Sequence, residues 1–239
     1  MQMIFHYQIG FFTQYNFISE NSEFDVVSSW YTIFNKSVEY IIKVPQYHNS
    51  IVQKLALFSS ICHPAVIYKK EKILQLGGYK NDGNLHVAQD YELWLRAKSK
   101  LKFYNIQEIL LLYRIHSESN SNNLFKSERN IHYQIQEKYY KNLPLEFNIN
   151  SNSEQIIMRG FREYFWGDIK TSRIYWRTLG VKLLITPKVF IAYILTFFNR
   201  DFVVKFNNYK IWLRMIFFIE SIFDKNISDQ KKYWEKAIE

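Results

Sequence analysis

Ala88-Gln89-Asp90-Tyr91-Glu92-Leu93-Trp94-Leu95-Arg96 is the stretch whose reading decides the fold. An Asp follows a polar loop and opens an amphipathic run, which predicts a helix over Tyr91 to Lys98 with Asp90 at its start. Upstream, His63-Pro64 leads into an apolar strand, Ala65 to Tyr68, and then a short helix, Glu71 to Leu76. Gly77 stops that helix in the usual C-terminal glycine role, and Asn81-Asp82-Gly83-Asn84 reads as a turn. Downstream, Lys102 to Ile106 and Leu110 to His116 read as two strands. The second contains Tyr113-Arg114-Ile115-His116 and runs into Ser117-Glu118-Ser119-Asn120-Ser121. Strands alternating with helices predict an α/β fold with a mixed sheet.

Further out, residues 4 to 19 read as a helix and Phe24 to Phe34 as a strand. Asn49 or Ser50 is a candidate cap for a helix through about Phe58. Leu124 to Tyr140 reads as a long helix, ended before Pro144. The polar run Asn148-Ile149-Asn150-Ser151-Asn152-Ser153 is a linker candidate, dividing the chain into 1–147 and 148–239. Beyond it only helical patterns appear: Glu154 to Trp166, Asp168 to Leu179, Pro187 to Asn199, Phe202 to Phe223 and Asp229 to Ile238. There Arg159, Arg162, Lys170, Arg173, Arg177, Lys182 and Lys188 are interleaved with aromatic and aliphatic residues.

A chain of 239 residues with 48% hydrophobic content can bury one sizeable core and an appendage. Its net charge of +9 attracts anionic partners. No helix-turn-helix, zinc-finger or RNA-binding signature accompanies that charge, so nucleic acid is not expected as a partner. The single cysteine, Cys62, sits beside Ile61 and reads as a small core residue; a reducing cytosol is the simplest compartment. No signal peptide is evident. Val181 to Phe198 is interrupted by Lys182, Pro187 and Lys188, and reads as interfacial or buried, not spanning.

The ordered segments from His63 to Ser121 resemble the acceptor-side half of family 2 glycosyltransferases, which have the GT-A fold. The likeness extends over about residues 10 to 125; Gln14, Phe17, Glu20 and Asp25-Val26-Val27 fit the part preceding the strand at 24–34. The resemblance implies a partial GT-A mixed sheet followed by an all-helical region. It implies transfer from a nucleotide-sugar donor to a surface-polysaccharide or lipid-linked acceptor, with Asp90 as catalytic base. It places Tyr113-Arg114-Ile115-His116 near the departing nucleotide. The family's nucleotide-binding strands and Asp-x-Asp metal motif have no counterpart here. The expectation is therefore a chain lacking two or three βαβ-type units, roughly 60 to 100 residues. It would be inactive alone, the missing half being lost or carried on a separate chain. Mg or Mn is expected in the complete enzyme. Where the family often has Glu before the base, this chain has Gln89.

Each candidate also has a plainer reading. Asp90 is either the base or a helix N-cap. Trp94, one turn on, either walls the acceptor site by stacking on a sugar or packs in the core. Arg114 and His116 point together on a strand and can hold a diphosphate, with His116 completing a metal site, or form a solvated strand edge. Ser119 can bind phosphate or belong to a turn, and His63 can reach the cleft or serve the structure. The basic, aromatic tail suits the anionic inner face of the cytoplasmic membrane or a helical cap. The rival function is a non-catalytic acceptor- or membrane-binding module.

Overall fold

The structure is a computed structural model that describes residues 4–6, 8–34, 39–80, 88–114, 125–140, 152–199 and 202–203. The chain divides into two compact units, Met1–Leu145 and Glu146–Glu239.

The first unit is α/β. Its elements are β1 (Ile4–His6), α1 (Gln8–Glu20), β2 (Val26–Phe34), β3 (Glu39–Ile42), α2 (His48–Leu55), a 3-10 turn (His63–Ala65), β4 (Ile67–Tyr68), α3 (Lys70–Gln75), α4 (Gln89–Ala97), β5 (Phe103–Arg114) and α5 (Phe125–Tyr140). Among the described residues five strands form one mixed sheet, ordered β1-β5-β2-β3, with β4 also beside β2. β2 runs parallel to β5, while β3 and β4 are antiparallel to β2 and β1 is antiparallel to β5. The central position of β2 follows from its residues: Val26, Val27, Ser28 and Ser29 are all fully enclosed.

Buried polar groups tie the loops to this sheet. Gln14 Nε2 donates to the Ala65 carbonyl (2.8 Å), fastening α1 across the strands. Ser28 Oγ accepts from the Cys62 N–H at 3.0 Å. Asn105 Nδ2 donates to the carbonyls of Pro45 (2.6 Å) and Ser60 (2.9 Å). Phe17, Phe24 and Tyr104 pack ring on ring, with centroids 4.5 to 6.0 Å apart, beside Val27, Ile106 and Leu110.

Several sequence expectations change. Residues 4–6 leave the predicted helix to pair with Leu111–Tyr113 at the edge of β5. The two strands expected from 102 to 116 are one, β5; its register against β2 shifts around Trp30 and so absorbs the polar Gln107-Glu108. Ala65 belongs to the 3-10 turn, leaving Ile67–Tyr68 as strand. α2 starts at His48 after Tyr47, so Asn49 and Ser50 lie inside its first turn and do not cap it.

The second unit is helical among the described residues: α6 (Asn152–Phe165), α7 (Ile169–Arg177), α8 (Val181–Leu184) and α9 (Pro187–Leu195). Trp176 anchors it, lying 5.0 Å from Phe161 and 5.6 Å from Tyr164 by ring centroid. The close approach of α6 and α7 needs Gly160, where a Cβ would lie 2.0 Å from Trp176 Nε1. Asp168 caps α7, accepting from the Thr171 N–H at 2.9 Å. The apolar stretch from 181 to 198 is broken into α8 and α9, and no helix among the described residues is long and apolar enough to cross a membrane. The helices expected at 202–223 and 229–238 lie, apart from 202–203, outside the described residues.

Candidate active site

α3 ends in a pair of glycines because the chain must reverse there. Gly77 (φ 86°) and Gly78 (φ 62°) occupy the left-handed region. Their N–H groups donate to the carbonyls of Leu74 (2.8 Å) and Ile73 (3.0 Å), the Schellman pattern. The reversal delivers Tyr79 toward the start of α4.

α4 begins at Gln89, with Ala88 at the N-cap position and no side-chain cap. The cap reading of Asp90 is thereby corrected. The helix starts earlier than the spacing implies, so Asp90 is its second residue, and the Glu92 N–H donates to the Ala88 carbonyl (3.0 Å). The carboxylate still lies at the positive end of the helix dipole. Asp90 is half-buried, and no hydrogen bond or ion pair engages its carboxylate among the described residues.

Three groups from distant parts of the chain feel that charge. Burial pushes the Cys62 thiol up to about 12, and Asp90 adds to the rise. Such a thiol is not a nucleophile at neutral pH. The Tyr79 phenol is raised by burial first, then by its hydrogen bond to Tyr68 and by Asp90. Burial lowers the His132 imidazole on α5 to about 4, with Asp90 opposing, so His132 is neutral at pH 7.

Through Tyr79 this point joins an aromatic group. His63 is exposed and meets Tyr79 edge-on, with centroids 5.7 Å apart. Beneath them lies Trp94, 6.2 Å from His63 and 6.4 Å from Tyr68. Trp94 is fully enclosed, which is its core-packing reading and not the stacking wall: it forms the floor beneath these rings. Its Nε1–H has no acceptor among the described residues.

Glu92, two residues beyond Asp90, is in the opposite condition. It is buried and paired with Arg96 Nη2 (2.8 Å) and Lys80 Nζ (3.0 Å), and it accepts a short hydrogen bond from the Tyr139 hydroxyl. Burial would raise its carboxyl, but the hydrogen bonds from Arg96, Tyr139 and Lys80 hold it at about 2. Arg96 also donates to the carbonyls of Leu76 and Gly78, the latter at 2.7 Å. This clasp binds the turn carrying Tyr79, and α5 carrying His132, onto α4. Sequence reasoning missed Tyr79 and His132 as neighbours of Asp90. The available signals were Gly77-Gly78 before Tyr79 and the Glu92/Arg96 pair at i,i+4.

Arg114 ends β5, half-buried, with its Cα opposite that of Phe34. His116 and Ser119 lie outside the described residues, as does the turn at 81–84. No three His, Cys, Asp or Glu residues gather as a metal-holding group among the described residues, and His116 lies outside them.

Comparison with known proteins adds a relationship. No protein-family model matches the chain. It is 33% identical over 111 residues to the O-antigen biosynthesis glycosyltransferase WbnJ of Escherichia coli, covering 44% of this chain and 42% of that protein. It is 35% identical over 107 residues to the UDP-Gal:alpha-D-GlcNAc-diphosphoundecaprenol beta-1,3-galactosyltransferase of Escherichia coli, covering 44% and 38%. An uncharacterized glycosyltransferase of Methanocaldococcus jannaschii is 26% identical over 133 residues, covering 54% and 45%. This chain is related to glycosyltransferases. It matches less than half the length of each of these relatives.

Proposed function

We propose that this chain carries the acceptor side of a family 2, GT-A-type glycosyltransferase that builds a surface polysaccharide, with Asp90 as catalytic base. One observation carries the reading: a carboxylate at the start of α4, unengaged among the described residues, whose charge reaches Tyr79, itself in ring contact with His63. The relationship to named glycosyltransferases supports it. In the reaction the acceptor hydroxyl oxygen attacks the anomeric carbon and its proton passes to Asp90. The bond from that carbon to the diphosphate oxygen breaks, and the nucleoside diphosphate leaves with the electron pair. The configuration inverts. His63 and Tyr79 border the acceptor sugar, while Trp94 supports them and leaves an indole N–H unsatisfied beneath. Arg114, with His116 and Ser119 beyond it, would face the leaving diphosphate. The name of one relative specifies a diphosphoundecaprenol acceptor, so a lipid-linked acceptor at the inner face of the cytoplasmic membrane is part of the proposal.

Donor binding, with its Mg or Mn, is assigned to a part outside the described residues, on this polypeptide or a separate one. The test therefore uses the assembled enzyme. Asp90→Asn should lower transfer by roughly two to four powers of ten, the usual worth of a positioned base. Donor affinity should hold, because the base acts on the acceptor. Since Asp90 caps nothing, Asp90→Ala should lose activity equally, with stability close to wild type in a thermal melt. Near-normal turnover of Asp90→Asn would mean that the base lies elsewhere; the second reading, a non-catalytic acceptor- or membrane-binding module, would instead be favoured by acceptor or membrane binding without transfer. The sequence holds no Asp-x-Asp motif, and that supports this second reading.

A further inference from the structure

The second unit places apolar residues on both sides of α8 and α9. In α8, Leu183 points inward at 7% exposure, whereas Val181 is 75% exposed and Leu184 62%, with Ile185 just beyond at 73%. The spacing 181, 184, 185 sets these three on one side of the turn. In α9, Val189, Ala192 and Leu195 are buried against the unit. Ile191 and Ile194 face outward, and Phe197 and Phe198 continue the exposed apolar surface. Seven exposed apolar side chains within eighteen residues mark a candidate binding face.

Its charge names the partner. From 169 to 199 the sequence holds Lys170, Arg173, Arg177, Lys182 and Lys188 and no Asp or Glu. Lys170, Arg177 and Lys182 are exposed. Arg173 lies over the Phe197 ring, 4.0 Å from its centroid, and its Nε donates to Thr196 Oγ1 at 3.0 Å. The base of the exposed Phe197 is therefore held while its edge stays outside. We propose that the outer side of α8 and α9 docks onto an anionic phospholipid bilayer, with Val181, Leu184, Ile185, Phe197 and Phe198 entering the headgroup region. Aliphatic and aromatic residues flanked by lysine and arginine suit that interface. A second copy of this chain fits worse, because two such faces would oppose like charges with no acid from 169 to 199 to pair them. The contact serves the lipid-linked acceptor reading, on which this proposal rests: it would hold the enzyme where that acceptor is anchored.

The test is co-sedimentation of the 239-residue chain with vesicles, without donor or acceptor. Phosphatidylcholine alone is compared with phosphatidylcholine mixed with phosphatidylglycerol. Strong binding to the mixed vesicles, weakened by salt, is expected. Ile185→Glu and Leu184→Glu should each cut the bound fraction severalfold with an unchanged thermal melt, since both side chains are exposed. Arg177→Gln with Lys182→Gln should erase the preference for anionic lipid. Absence of binding to either vesicle would overturn the proposal. So would full binding by Ile185→Glu, which would move the contact to another segment such as 204–239. A solution dimer abolished by Ile185→Glu would make a second copy the occupant and also overturn it. Each of these failures would leave the Asp90 reading intact, because no transfer is measured.

Discussion

Glu92 is buried with Arg96, Lys80 and Tyr139 around its two oxygens, whereas Asp90, two residues earlier, is left unengaged among the described residues. The contrast assigns one carboxylate to the fold and proposes the other for chemistry. It also yields an acid-stability prediction. Glu92 is held at about 2 in the fold, below the ordinary 4.5. A depressed carboxyl stabilises fully above its unfolded value, and that contribution is lost as pH falls toward the folded value. Thermal melts should therefore show wild type losing stability between about pH 4.5 and pH 2. Glu92→Gln leaves Arg96 and Lys80 without their charge partner. It should start roughly 1.5 to 3 kcal/mol lower at pH 7, the usual worth of hydrogen bonds to a charged group, and lose less on acidification. A variant as stable as wild type at pH 7 would remove the clasp from the account. Arg96 was readable from the helical spacing, but the burial of Glu92 was not. It depends on Tyr139, 47 residues later, and on Lys80 beyond the glycine turn.

Among the elements, legibility follows how local the cause is. Gly77-Gly78 stops α3 as read, because the left-handed turn needs only those residues and their own hydrogen bonds. β5 was read as two strands because Gln107-Glu108 breaks the apolar pattern. In the fold, Gln107 Nε2 donates to the Val44 carbonyl (3.2 Å), a long-range partner that no window reveals. The caps fail for a related reason: α2 and α4 start without side-chain caps, so polar residues near their starts were misleading. α7 does carry its cap, and Asp168→Ala should cost about 1 kcal/mol in denaturant unfolding. Gly160→Ala should cost more, about 1 to 3 kcal/mol, because the added carbon meets Trp176. A shifted Trp176 fluorescence should accompany that loss. A neutral Gly160→Ala would mean that α6 and α7 are not packed this closely.

At the scale of the whole molecule, the site has a candidate base but no gathered metal ligands among the described residues. Titration calorimetry of the 239-residue chain with a nucleotide sugar should show weak binding that magnesium or manganese does not strengthen. Tight, metal-dependent binding would relocate the donor site into this chain. The mixed sheet also sets the order in which the molecule comes into being. β2, its buried centre, lies parallel to β5, and Asp25 at its threshold accepts from the Lys102 N–H, 77 residues away. A ribosome adding roughly 5 to 20 residues each second needs on the order of ten seconds to supply that partner. Until then β2, with Val26 and Val27 enclosed in the finished fold, has α1, β3 and β4 beside it but lacks its parallel partner. Nascent chains stalled before residue 103 should therefore need a chaperone, and those released after β5 should not.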